Sequence, residues 1–79
     1  MSVAAPILFR SISDVSDIEQ LTNKRRYIAR ACDFWSENGD WNKDNKFNEE
    51  FSDIQFSVFS EALKLVDHKL AKLWKESAL

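Results

Sequence analysis

Seventy-nine residues with a net charge of −2, 44% hydrophobic and 30% charged, are an ordinary globular composition on a short chain. A domain this small buries a thin core and usually gains support from a disulfide, a metal or a second copy. The single cysteine, Cys32, excludes an intrachain disulfide and a Cys-rich zinc site, and the charge balance argues against nucleic-acid binding through bulk charge.

The chain opens on an apolar stretch, VAAPILF at residues 3–9. It is too short for a signal-peptide core, lacks a basic leader and carries Pro6. No run approaches the roughly 18 apolar residues of a membrane span. The reading is an extended arm over residues 1–12 of a cytoplasmic protein with no membrane partner.

A first helix is expected over residues 16–37. Ser16-Asp17-Ile18-Glu19 is a capping-box pattern, and Asn38-Gly39 offers left-handed conformations that end helices. Ile18, Leu21, Ile28, Cys32 and Trp35 form one stripe at 100° per residue, which makes Cys32 a small core residue. Lys24, Arg25, Arg26 and Arg30 are the basic cluster. Glu19, Asp33 and Glu37 share a face with Arg26 and Arg30, so that face reads as solvated, with an Arg30–Asp33 pair. Lys24 and Arg25 interrupt the apolar sector. In an antiparallel arrangement Arg25 should pair with Asp67, or its guanidinium should snorkel past the core.

Residues 38–51 form a polar loop that resembles EF-hand and dockerin calcium loops over about a dozen residues. Counting from Asp40, oxygen falls at Asp40, Asn42, Asp44, the Lys46 carbonyl and Asn48, with Phe47 at the usual apolar position. Phe51 stands where the bidentate glutamate belongs, Glu50 comes one residue early, and Lys43 and Lys46 dilute the charge. The expectation is a polar connection with no cofactor, a calcium site being the alternative. Trp41 is unusual in a solvated segment; it is assigned to a partner-facing surface, the alternative being that it folds over the end of the hairpin.

The second helix is expected over residues 52–77, capped by Ser52-Asp53-Ile54-Gln55. Phe56, Phe59, Leu63, Val66, Leu70 and Leu73 recur by threes and fours and are read as the internal seam, flanked by Ala62. Phe51, Val58 and Leu65 widen the apolar sector on one edge and Trp74 on the other. Half the circumference is then apolar, more than one packed neighbour covers. Two long helices and an arm therefore give an all-α helical hairpin, expected to pair with a second copy as a homodimeric four-helix bundle, the alternative being a monomer whose arm (Ile7, Leu8, Phe9) folds back and closes the core. The interaction surface is assigned to Trp41, Phe51, Val58, Leu65 and Trp74.

His68, the lone histidine, sits mid-way across the polar face with no nucleophile nearby, and no phosphate-binding glycine motif occurs. No enzyme is expected. ILFRSISDVSDIEQL at residues 7–21, with FSDIQFSVF and VDHKLAKL within residues 51–73, resembles the start and later helix of the small Hha/YmoA nucleoid modulators. This chain carries an insertion between the two segments, a shorter one within the helix, and lacks that family's C-terminal extension. The resemblance implies partnership with an H-NS-type DNA-binding protein. The residues by themselves point to a non-enzymatic regulator, inhibitor or adaptor acting through another protein.

Overall fold

The structure, a computed structural model, describes residues 4–43 and 47–77. Among these residues it is all-α: α1 spans Ala4–Ser13, α2 Ile18–Trp35 and α3 Glu49–Ser77, with a single 3-10 turn at Asp40–Asn42. No described helix is long and apolar enough to cross a membrane.

The extended arm is thus corrected over residues 4–13, which are helical. Pro6 is no obstacle there, because the first turn of a helix has no intrahelical partner for its N–H groups. The helix then buries Ile12 completely and lays Leu8 and Phe9 against the same core.

Helix boundaries also move for identifiable reasons. Asp17, not Ser16, caps α2, its Oδ1 accepting from the N–H groups of Glu19 at 2.8 Å and Gln20 at 3.3 Å. Gly39 is extended at φ −81°, so it does not end α2 through left-handed backbone. Its role is steric: a Cβ there would collide with the carbonyls of Asp33 and Phe34. The third helix begins earlier than expected. Asn48 accepts from the Phe51 N–H at 2.6 Å, while Ser52 lies one turn in, buried, its hydroxyl donating to the Glu49 carbonyl at 2.7 Å.

α2 and α3 run in opposite directions. Tyr27 meets Phe59 and Trp35 meets Phe51, so position rises on one helix as it falls on the other. The Arg25–Asp67 pair forms at 2.6 Å with both side chains about half exposed, 46% and 49%, as the antiparallel register requires.

Among the described residues six apolar side chains are buried: Ile12 from α1, Leu21, Ile28 and Cys32 from α2, and Ala62 and Val66 from α3. The buried line on α3 therefore runs through Ser52, Ala62 and Val66. It is rotated from the expected seam, and Phe56 is displaced to the exposed edge. Small side chains at Ser52 and Ala62 let the neighbours approach, and the larger Phe59, Leu63, Leu70 and Leu73 straddle the line.

α3 has two neighbours. α2 flanks one side and α1 the other, and Leu65 on the second edge packs into the core. The Lys69 ammonium reaches the end of α1, donating to the Ile12 carbonyl at 3.1 Å and also to that of Ser13. Neither carbonyl has a partner inside α1, although Ile12 also accepts from the Val15 N–H at 3.3 Å just beyond it; the cation adds a donor to both and complements the dipole. The molecule is nonetheless thin. Its radius of gyration is 14.1 Å, with extents of 49 × 23 × 14 Å, against about 12 Å for a compact chain of this length.

Candidate functional site at the aromatic end

Six of the ten aromatic residues fall between positions 34 and 56, and the fold brings most of them to one end. Trp35, in the last turn of α2, is the hub. Its ring stands edge-on to Phe34 at 4.7 Å, Phe47 at 5.0 Å and Phe51 at 5.4 Å, while Phe47 and Phe51 stack at 5.7 Å with 14° between planes. These separations suit aromatic quadrupoles. The Phe51 ring reaches Trp35 because the Asn48 cap starts α3 one turn before it.

The cluster is only partly covered. Phe47, Phe51, Ile54 and Phe56 are each 37–42% exposed, and they make up four of the seven exposed large apolar side chains in the molecule's described residues. α1 packs nearer the other end of α3, where Lys69 holds it, and leaves this stretch open.

Beside the cluster lies a groove of about 490 Å³ between the end of α2 and the start of α3. Trp35, Trp41 and Phe56 form its aromatic walls, and Glu37, Glu49 and Asp53 its acidic ones. Trp41 is oriented by its indole Nε1, which donates to the Ser36 carbonyl at 2.6 Å. That bond joins the 3-10 turn to the C-terminus of α2 and explains a tryptophan in the connection.

The expected interaction residues do not form one surface. Trp41 and Phe51 belong to the aromatic end, Val58 is half-buried on α3, and Leu65 packs against the core. Trp74, 60% exposed, lies near the opposite end of α3. Leu65 is half-buried against the core. Trp35, Phe47, Ile54 and Phe56 complete the site. The signal for them was aromatic density on both sides of the connection, which helical periodicity does not weigh.

The basic cluster is divided too. Arg25 pairs with Asp67, Lys24 is half-buried beside Leu8 and Tyr27, and Arg26 and Arg30 face solvent. Arg30 forms no ion pair with Asp33 among the described residues, although both border one shallow groove.

The calcium-loop candidates have other engagements. Asp40 pairs with Lys43 at 2.9 Å, a hydrogen bond and an attraction that hold the Lys43 ammonium above its ordinary pKa. Asn42 lies in the 3-10 turn, Asn48 caps α3, and Glu50 sits in the first turn of α3. Asp44 lies outside the described residues. Among the described residues no three His, Cys, Asp or Glu side chains are grouped to hold a metal. No family model, curated protein or solved structure matches this chain.

Proposed function

We propose that α2, the connection and α3 act as one helical hairpin braced by α1, and that its aromatic end docks on another protein. The chain is then a small non-enzymatic regulator, inhibitor or adaptor. The observation that carries this reading is the pair of half-covered rings Phe47 and Phe51 packed on Trp35, with exposed Ile54 one turn beyond Phe51 on α3. Aromatic side chains gathered on an exposed edge are what interface centres are made of, since each removes a large apolar area from water with little entropy lost. Capping, ring stacking and the Trp41 bond keep the edge ordered before a partner arrives, which lowers the ordering cost of binding.

A second copy is a poorer occupant than a different protein. The homodimeric four-helix arrangement was expected because α3 needed another neighbour, and α1 takes that position near Lys69. Affinity capture from the source cell, comparing the unaltered chain with Phe47→Ser and Ile54→Ser variants, tests the reading. Circular dichroism first establishes that both variants keep their helices. Loss of the captured partner in both supports docking at the aromatic end; retention in both contradicts it.

A further inference from the structure

The groove beside the cluster differs chemically from the apolar edge. Its acidic walls come from three separate places: Glu37 just beyond α2, and Glu49 and Asp53 on successive turns of α3. No basic residue lines it, and no ion pair reaches these three carboxylates among the described residues. The helix ends bear on it in opposite senses. The N-terminus of α3 presents about half a positive charge and the C-terminus of α2 about half a negative one, so the dipoles offset and the full charges decide. Among the described residues the charges that line the groove are all negative.

Its other walls are Trp35, Trp41 and Phe56. Indole faces attract cations through their quadrupole, and a planar guanidinium stacks on them while its N–H groups reach carboxylates. An ammonium offers the charge without the plane. A neutral side chain can donate a hydrogen bond to the acids but gains no charge attraction from them.

We infer that this groove binds an arginine side chain carried by a basic segment of the partner protein. The proposal rests on the docking reading above and adds the chemistry of what is recognised: apolar contact on the Phe47–Ile54 edge, and a guanidinium between Trp35 and Trp41 with Glu49 and Asp53 beside it.

The test titrates the intact protein with acetyl-hexa-arginine amide at low salt while following the three indole N–H signals by NMR. Trp35 and Trp41 should shift saturably, whereas Trp74, at the far end of α3, serves as the internal control. The hexa-citrulline peptide, isosteric and uncharged, should leave all three in place. Glu49→Gln with Asp53→Asn should weaken the arginine peptide by about tenfold or more, with helix content unchanged. Equal shifts at all three tryptophans, no saturable shift at millimolar peptide, or undiminished binding by the double variant overturns the inference. The docking reading fails separately. If Phe47→Ser and Ile54→Ser leave capture intact, the aromatic edge is not the interface, whatever the peptide does. If they abolish capture while Glu49→Gln with Asp53→Asn does not, the edge stands and the arginine assignment falls.

Discussion

Arg25 donates from Nε to Oδ1 of Asp67 at 2.6 Å, joining residues forty-two positions apart and setting the register of α2 on α3. Both groups are about half exposed, so water and salt screen the attraction. A double-mutant cycle with Arg25→Ala and Asp67→Ala should give a coupling of about 0.2–1 kcal/mol that shrinks in high salt. Zero coupling at low salt would mean that the pair forms without holding the register.

Lys69 matters more than its place on a charged face suggests. It closes the carbonyl end of α1 and anchors that helix on α3. Lys69→Met keeps the aliphatic stem but removes the donor, and should cost about 1–2 kcal/mol. Amide exchange gives the sharper readout: protection should fall in α1 well before it falls in α2. Uniform loss through all three helices would show that α1 is not a separately held element.

Gly39 has no room for a side chain. A methyl group would press on the carbonyls of Asp33 and Phe34, at the base of the turn that carries Trp41. Gly39→Ala should destabilise by about 1–3 kcal/mol and displace the Trp41 signal in a fluorescence or NMR spectrum. An unshifted Trp41 with unchanged stability would contradict the close approach.

Burial, with the neighbouring charge of Asp33, pushes the Cys32 thiol above its ordinary pKa. The sign follows from linkage. Below the ordinary thiol range both folded and unfolded chains hold the proton and this contribution to stability is complete. As pH rises past about 8.5 the unfolded chain loses its proton first, so stability declines until the folded thiol also ionises. Denaturant midpoints should show this decline, and Cys32→Ala should lack it. Rapid alkylation of the native thiol would contradict the burial.

The residues revealed the all-α class, the α2 stripe of Leu21, Ile28 and Cys32, and the Arg25–Asp67 contact, because each depends only on helical period and an antiparallel partner. α1 was hidden because Pro6 reads as a breaker unless its place in the first turn is known. The rotation of the α3 seam was hidden for a related reason. Periodicity ranks residues by size and grease, whereas the buried line also passes through the small Ser52 and Ala62. Trp41 and Phe51 were legible as odd residues in a polar connection. Their convergence on Trp35 was not, since it depends on how the Asn48 cap and the Gly39 approach fold that connection.

α1 packs on α3 near Lys69 and leaves the aromatic end as the open surface of a single chain. Light scattering coupled to size exclusion measures this most directly. A mass of 9.2 kDa across the accessible concentration range is the predicted result. A concentration-independent mass of twice that value would show that another copy, not a different protein, takes the exposed face.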